Sequence, residues 1–315
     1  ISKKKLSFSK PFFSLDKKIV GEDSKKKINK VVKYLRKIRS EYMFVSAPEN
    51  VAWLINIRGY DNPNSPIPNA HLFLDHNKRF YLVSEKKKLR NLLKDKKLKP
   101  YQIIEPRNFK KFINSLEGTK ISIDPLTCSL FYENIFRKKF KIFKKEDPIY
   151  FLKSIKNKTE IKNIIKSHVS DGVALTRFIY WIKEINKKKI TEVDAQKKLE
   201  SFRKKNKDYL FPSFYTIAGS GKNAAIVHYR ANKNNTKIIE NKDIFLCDSG
   251  GQYKYGTTDV TRTICFSKQS LNVKKIFTHV LKGHIAVANT NLNKINIGKK
   301  IDINARKFLK RNGLD

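Results

Sequence analysis

Apolar residues in the first half of the chain recur with the spacings of short strands and helices in alternation. From residue 25 to residue 39 they fall three or four positions apart, which is the repeat of an amphipathic helix. The runs that follow predict strands at 42–46, 71–74, 79–83, 102–105 and 120–124 and helices at 49–57, 86–93 and 109–116. Strands that alternate with helices in this way indicate a layered α/β domain.

The pattern changes near Asp147-Pro148. Beyond this point the sequence predicts long helices at 160–185 and 192–204, strands near 213–218, 224–229, 243–248 and 258–266, and helices at 273–288 and 301–311. We therefore divide the chain into an irregular lead-in at residues 1–23, an α/β domain at 24–150 and a second domain at 151–315. For the second domain, periodicity alone indicates an α+β class and no specific architecture.

Composition supports a folded protein. The chain has 315 residues, of which 40% are hydrophobic, enough for two domains with cores of their own. Its net charge of +41 would normally suggest a nucleic-acid partner. The excess is mostly lysine, is spread along the chain and accompanies abundant Asn and Ile, so a genome rich in A/T codons accounts for it. We therefore expect no nucleic-acid partner.

The cellular compartment is indicated by the absence of a membrane-span or signal pattern in the sequence and by its cysteines. No apolar run is long enough to cross a membrane, and no apolar stretch follows the lysine-rich N-terminus as in a secretory signal. Cys128, Cys247 and Cys265 have no metal-type spacing and are typical of reduced thiols. These features favour a cytoplasmic protein with no membrane partner.

The segment with the clearest chemistry is 248–263, which reads DSGGQYKYGTTDVTRT. An apolar strand signal ends at Asp248, glycines allow tight turns, and a second β-prone run begins near Asp259. If the two runs pair, the aspartates point to one face, where their charges repel unless a cation neutralises them. Hard oxygen ligands suit divalent ions, and two such ions ~3.5–4 Å apart can activate a water for hydrolysis. The structural alternative is a plain turn, because aspartate beside glycine is common in loops.

Two polar residues that follow Asp259 are candidates for holding the carboxylates in one orientation. Thr261 and Arg262 have side chains that can donate hydrogen bonds to a carboxylate. Threonine at alternate positions is equally what a β-strand prefers, so the pattern leaves both interpretations open.

Four stretches of the chain resemble one known family. Besides 248–263, they are 212–229 (PSFYTIAGSGKNAAIVHY), 280–287 (VLKGHIAV) and 52–59 (AWLINIRG). Together they resemble the cytosolic type of Xaa-Pro aminopeptidase (aminopeptidase P), a metallopeptidase with the creatinase or pita-bread fold. The resemblance implies a creatinase N-terminal-like α/β domain followed by the front portion of an α+β pita-bread catalytic domain.

The resemblance also implies an activity and its residues. The expected enzyme removes the first residue of peptides that have proline second. Asp248 and Asp259 are then two of five ligands to two divalent ions, taken here as manganese, with zinc or cobalt as alternatives. His228 is then a catalytic and substrate-binding group that donates to the oxyanion; its structural alternative is a core histidine on a strand. Relatives often dimerise, so a homodimer is expected.

The ends of the chain depart from the family pattern. The chain starts at Ile1, and residues 311–315 resemble the approach to a segment that supplies a ligand histidine, with two glutamates further on. We therefore expect a fragment lacking both ends, inactive by itself and a weak metal binder. Two rivals stay open: a prolidase-like or creatinase-like enzyme, and a non-catalytic pita-bread protein that binds a peptide or protein in its cleft.

Overall fold

The computed structural model describes residues 10–184, 190–295 and 297–314. The helices of these residues are α1 (Lys17–Val20), α2 (Ser24–Lys37), α3 (Pro48–Leu54), α4 (Arg90–Lys94), α5 (Phe109–Ser115), α6 (Leu130–Arg137), α7 (Pro148–Ser154), α8 (Lys158–Glu184), α9 (Glu192–Arg203), α10 (Leu271–Ala288) and α11 (Gly298–Lys310). The strands are β1 (Phe13–Ser14), β2 (Tyr42–Val45), β3 (Ile57–Arg58), β4 (His71–Asp75), β5 (Phe80–Val83), β6 (Ile103–Ile104), β7 (Lys120–Ile123), β8 (Lys141–Lys144), β9 (Tyr209–Pro212), β10 (Ile217–Ser220), β11 (Ile244–Ser249), β12 (Gly251–Tyr253), β13 (Gly256–Thr257) and β14 (Val260–Cys265).

The N-terminal half is built on a six-stranded mixed sheet with the order β6-β5-β4-β2-β7-β8. Alternate residues of its central strand β2 supply two separate cores, because successive side chains of a strand point to opposite faces. Met43 packs with α2, α3 and α4 on one face, and Phe44 packs with α5 and α6 on the other. The result is a three-layer α/β domain, as the alternating pattern predicts.

The second half has a smaller sheet with the order β10-β11-β14. Helices α8 and α9 cover one face of it, where Phe178 and Leu199 pack against Phe245 and Cys247 of β11. A second small sheet, with the order β13-β12-β9, lies beside it. Strands β12 and β13 belong to the hairpin that connects β11 to β14, so both sheets share one continuous segment of chain.

Several parts of the structure differ from the sequence-based expectation, among them residues 213–216, which lie between β9 and β10 and not in the strand expected near 213–218. The lead-in is not irregular in its described part, because residues 13–20 form β1 and α1, and Phe12 is fully buried against the first core. Helix α6 and strand β8 occupy 130–144, which the pattern left unassigned. The strand expected at 224–229 is wrong: residues 221–225 form a 3₁₀ helix followed by a turn.

The two halves contact each other through polar side chains. Asn157 at the start of α8 donates to the Val20 carbonyl at 2.8 Å, and Asn163 donates to the Ile19 carbonyl at 2.8 Å. Further along, the Gln252 side chain donates to the Asn64 carbonyl at 3.0 Å. These bonds fix the N-terminal domain against both α8 and the β12–β13 hairpin.

Among the described helices, none combines the length and the apolar character that a membrane span requires.

A buried aspartate caps α7 and makes stability depend on pH. Asp147 Oδ1 accepts from the Ile149 amide at 2.8 Å, and its Oδ2 accepts from Asn50 at 2.7 Å. Burial raises the pKa of the Asp147 carboxyl from 3.8 to about 6. Between these values the folded state binds more protons than the unfolded state, so this group's contribution to stability falls as pH rises from about 4 to about 6.

We expect Asp147→Asn to remove that pH dependence. Relative to wild type, the variant should gain up to about 3 kcal/mol of unfolding free energy between pH 4 and pH 6, because one pKa unit is worth about 1.4 kcal/mol. Urea unfolding of both proteins across this range measures the difference. Two curves that stay parallel from pH 4 to pH 6 would show that Asp147 has an ordinary pKa.

Candidate metal centre

Asp248 lies on the central strand of the β10-β11-β14 sheet, on the face that the helices leave uncovered. Its neighbours across the strands are Ile217 of β10 and Thr261 of β14. Phe245 and Cys247 of the same strand point into the helix-covered core, and strand alternation therefore places Asp248 on the opposite face. The side chain is half-buried, with its carboxylate directed away from the apolar core.

Asp259 reaches the same face because the chain between the two aspartates folds back as a hairpin. We call residues 248–261 the aspartate ribbon. The two arms of the ribbon are in close contact at Gly250, where an added Cβ would lie 1.9 Å from the Thr258 carbonyl oxygen. The Gly251 amide donates to the Thr258 hydroxyl at 2.9 Å and the Thr258 amide donates to the Gly251 carbonyl at 2.9 Å. A glycine is required at this contact, since any side chain would force the two arms apart.

The two carboxyl groups interact directly. Partial loss of solvent raises the pKa of Asp259, and the negative charge of Asp248 and a hydrogen bond between the two carboxyls raise it further. Two neighbouring carboxyl groups disfavour ionisation of both, because their negative charges repel each other. A divalent cation between them would remove that penalty. The oxygen donors present, two carboxylates beside a hydroxyl, therefore fit one edge of a site for a hard divalent ion.

The two residues proposed to orient the carboxylates lie in different places. Thr261 donates its hydroxyl to Asp248 Oδ1 at 2.8 Å and so fixes one carboxylate oxygen. Arg262 is paired across the sheet with Cys247, on the helix-covered face, and its Nη1 donates to the Thr261 carbonyl at 2.8 Å. Its guanidinium makes no hydrogen bond to Asp248 or Asp259 in the described part of the chain. Only Thr261 is in a position to orient a carboxylate by direct contact.

His228 lies in an exposed turn, in a left-handed backbone conformation with φ +56°. It is therefore not a core histidine on a strand. It makes no hydrogen bond to Asp248 or Asp259. The preceding 3₁₀ helix lies against the sheet at Gly219, where an added Cβ would be 2.8 Å from the Asn223 carbonyl oxygen. This packing places the turn over β10, the strand that pairs with the strand of Asp248. The imidazole is exposed to solvent and accessible to a ligand.

A buried glutamate anchors the turn that carries His228, and sequence reasoning missed it. Glu192 is fully buried at the start of α9 and accepts from the Ser220 amide at 2.8 Å, from Asn223 at 3.0 Å and from the Tyr229 hydroxyl at 2.8 Å. Burial and the bond to Glu192 raise the pKa of Tyr229 to about 12, so the tyrosine stays a donor. The only signal in the sequence is the capping box that begins at Thr191.

A second buried network supports the strand that carries Asp248. Arg203 and Asp171 are fully buried and form a two-pronged ion pair at 2.7 and 3.0 Å. Arg203 Nη2 also donates to the Ser249 hydroxyl at 3.0 Å, and the Tyr253 hydroxyl donates to Asp171 at 2.8 Å. The network therefore holds the residue next to Asp248 and the hairpin that follows it. No sequence motif marks either member of the pair.

The described residues supply part of a candidate metal site. Within residues 10–184, 190–295 and 297–314, no cluster of three or more His, Cys, Asp or Glu side chains is placed to hold a metal ion. The candidate centre thus consists of Asp248 and Asp259, with Thr261 as an orienting hydroxyl. A dinuclear site needs further ligands beyond these.

Comparison with protein families and curated sequences identifies the family of the chain. Residues 3–160 match the creatinase/prolidase N-terminal domain, and residues 162–315 match metallopeptidase family M24. A protein named "Probable Xaa-Pro aminopeptidase P" from Paracoccidioides brasiliensis (strain Pb18) is 36% identical over 323 residues, covering 94% of this chain and 50% of the relative. One of the same name from Coccidioides posadasii (strain C735) is 37% identical over 306 residues, covering 94% of this chain and 47% of the relative. The chain spans about half the length of these relatives.

Solved structures show the same fold. An X-prolyl aminopeptidase from Caenorhabditis elegans, described as a cytosolic enzyme with a di-nuclear active site, matches 97% of this chain and 51% of its own with a TM-score of 0.84 at 26% identity. The prolidase from Pyrococcus horikoshii matches 91% of this chain and 78% of its own with a TM-score of 0.71 at 24% identity. The predicted fold class and family are confirmed, while the boundary at residue 150 stays a prediction. The chain belongs to the creatinase/prolidase family, with a creatinase/prolidase N-terminal domain joined to a metallopeptidase family M24 domain.

Proposed function

We propose that this chain forms part of a metal-dependent aminopeptidase that hydrolyses the Xaa-Pro bond at peptide N-termini. The observation that carries the proposal is the convergence of Asp248 and Asp259 on the open face of a sheet in an M24 domain. The names of the relatives indicate the substrate, and the di-nuclear site of the Caenorhabditis elegans enzyme indicates two ions. We further propose manganese as the metal, a homodimer as the assembly and the cytoplasm as the location.

Each residue of the centre has a defined task in this proposal. Asp248 and Asp259 would hold the ions, which when bound polarise the scissile carbonyl and lower the pKa of a water. Thr261 keeps the Asp248 carboxylate in one orientation through its hydroxyl. His228 donates a hydrogen bond to the carbonyl oxygen of the substrate as negative charge develops there. A dedicated site is needed because proline has no amide N–H for a peptidase to bind.

The number of metal ligands determines how well the 315-residue chain by itself can bind metal and catalyse hydrolysis. Two carboxylates and one hydroxyl are few donors for two divalent ions, and unfilled coordination weakens binding. We therefore expect the 315-residue chain by itself to bind Mn²⁺ weakly and not to hydrolyse Xaa-Pro peptides.

The test uses the complete polypeptide encoded by the gene, with Mn²⁺ and three substrates. We expect release of alanine from Ala-Pro-Ala, little cleavage of Ala-Ala-Ala and loss of activity with a chelator. Cleavage of the dipeptide Ala-Pro in preference to Ala-Pro-Ala would identify a prolidase instead. Peptide binding without cleavage of any of the three would identify a non-catalytic binding protein.

A further inference from the structure

A cavity of about 520 Å³ lies between the two domains, beside the β12–β13 hairpin of the aspartate ribbon. The N-terminal domain contributes Trp53, Arg58 and Ile67 to its wall, and the second half contributes Ile164, Gln252 and Thr257. Its volume falls in the range of small-molecule sites, and its position between domains is a common one for such sites. The proposed peptidase activity assigns no role to it.

Arg58 is the deepest charge of this interdomain cavity. Burial lowers the pKa of its guanidinium to about 10, although the charge of Glu160 acts in the opposite direction. Part of the side chain is still accessible, because it lines the cavity. Its Nη1 donates to the carbonyls of Ala52 at 3.2 Å and Ile57 at 2.8 Å. Its Nε and Nη2 have no hydrogen-bond partner among the described residues, and no carboxylate there forms an ion pair with it.

Two further polar groups lie next to Arg58. The indole Nε1 of Trp53 is buried without a hydrogen-bond partner in the described chain. Behind the indole ring, 4.1 Å from its centre, is the ammonium of the buried Lys27. Burial lowers the pKa of Lys27 to about 8, against the opposing charges of Glu160 and Glu22, and the ammonium donates to the Trp53 carbonyl at 3.0 Å and to Asn56 Oδ1 at 2.7 Å. The donors left unused beside the cavity are therefore those of the Arg58 guanidinium and the Trp53 indole.

The acidic residues of the cavity compensate its positive charge only in part. Glu49 and Glu160 are its two carboxylates, against the four cations Arg58, Lys153, Lys156 and Lys254. Glu49 accepts from the Tyr150 hydroxyl at 2.9 Å, and Glu160 accepts from the Asn157 amide at 2.9 Å. Neither forms an ion pair with Arg58 among the described residues, although the charge of Glu160 acts on the guanidinium. Water in the cavity can accept from the free guanidinium N–H groups but cannot neutralise their charge.

We propose that the interdomain cavity binds a small organic carboxylate with an apolar body, whose carboxylate accepts from the Arg58 guanidinium beside the Trp53 indole. Guanidinium and carboxylate match in geometry, and the bond is strengthened in a poorly solvated site. The lining also includes Leu15, Ile19 and Ile67, which suit an aliphatic group. An inorganic phosphate would bring the charge but leave this apolar wall in contact with water.

The two tryptophans of the chain, Trp53 and Trp181, give a direct test. Tryptophan labelled with ¹⁵N yields two indole N–H signals, and Trp181→Phe assigns them. We expect the Trp53 signal to shift saturably with N-acetyl-L-leucine, while N-acetyl-L-leucine amide, which lacks the charge, binds about tenfold more weakly or worse. Inorganic phosphate should also bind more weakly than the acid. Equal shifts with acid and amide, or none with the acid, would overturn the proposal; tighter binding of phosphate would overturn its ligand class.

A pair of arginine variants makes the test specific. Arg58→Gln should weaken binding of N-acetyl-L-leucine by about tenfold or more, because it removes the charged donor. Arg107→Gln is the matched control, since Arg107 is exposed and paired only with Glu105. Unchanged affinity in Arg58→Gln would contradict the assignment. If that variant does not fold, the comparison of acid with amide in the wild-type chain decides alone, whatever the peptidase assay gives.

Discussion

Asp248→Asn is expected to lower the rate of Ala-Pro-Ala hydrolysis by the complete polypeptide by about a hundred- to a thousand-fold. The substitution keeps the size of the side chain and an oxygen that can accept from Thr261, but removes the negative charge that would hold the metal. Loss of one electrostatic contribution to the transition state typically has an effect of this size, about 10²–10³ in rate. Steady-state kinetics at saturating Mn²⁺, together with Mn²⁺ titration, measure the change.

Asp302→Asn is the matched control for this variant. Asp302 is an exposed aspartate on α11 that pairs with Arg306 one helical turn away, so its loss should leave the rate and the Mn²⁺ affinity unchanged. Asp248→Asn at wild-type rate would remove Asp248 from the metal centre and with it the main support for the proposed function.

Arg203→Leu is expected to destabilise the fold by about 3–5 kcal/mol, because it leaves the buried carboxylate of Asp171 without its counter-charge. Both side chains are fully buried, and among the described residues the only other bond to Asp171 is the one from the Tyr253 hydroxyl. Urea unfolding at neutral pH gives the free energy of unfolding. The same substitution should loosen Ser249 and so lower Mn²⁺ affinity at the neighbouring Asp248.

Two further variants separate a buried pair from an exposed one. Lys204→Met removes an exposed charge that pairs with Glu200 at 3.5 Å, and should change stability by less than about 1 kcal/mol. The double variant Arg203→Leu, Asp171→Leu should recover part of the loss, because no buried charge is left unpaired. If Arg203→Leu costs no more than Lys204→Met, the buried pair does not support the site.

The elements with a clear period could be predicted from the sequence. Helix α2 begins and ends within two residues of the predicted range, since its buried residues recur at helical spacing and Asp23 caps its start. The hairpin of β4 and β5 also has the predicted position. Both depend on local patterns that one face of a core imposes on the chain.

The turn around His228 could not be predicted in the same way. Ile226 and Val227 form a short apolar run that favours a strand, but in the structure they are 52% and 83% exposed. Short apolar runs do not distinguish strands from other conformations, because only packing against a distant segment decides their burial. Here the distant segment is α9, whose Glu192 fixes the turn through its hydrogen bonds to Ser220 and Tyr229.

The supporting ion pair shows a different limit. Arg203 is one of 69 Lys and Arg residues, and nothing near it in the sequence marks it as a buried one. Its partner Asp171 lies 32 residues earlier on another helix. The aspartate ribbon was visible because its carboxylates and glycines are close in sequence, whereas its support is assembled only by the tertiary fold.

The aspartate ribbon has a practical consequence for taking the protein apart. Its hairpin lies against the N-terminal domain, where Gln252 bonds to Asn64, and Asn64 in turn donates to the Pro212 carbonyl at 3.0 Å on the neighbouring strand. A cut between α7 and α8 would strip these supports from the loop that separates the two acidic residues. Chimeras that exchange the first domain must therefore keep the loop that contains Asn64. Without that loop, Asp248 and Asp259 would lose the support that fixes their positions.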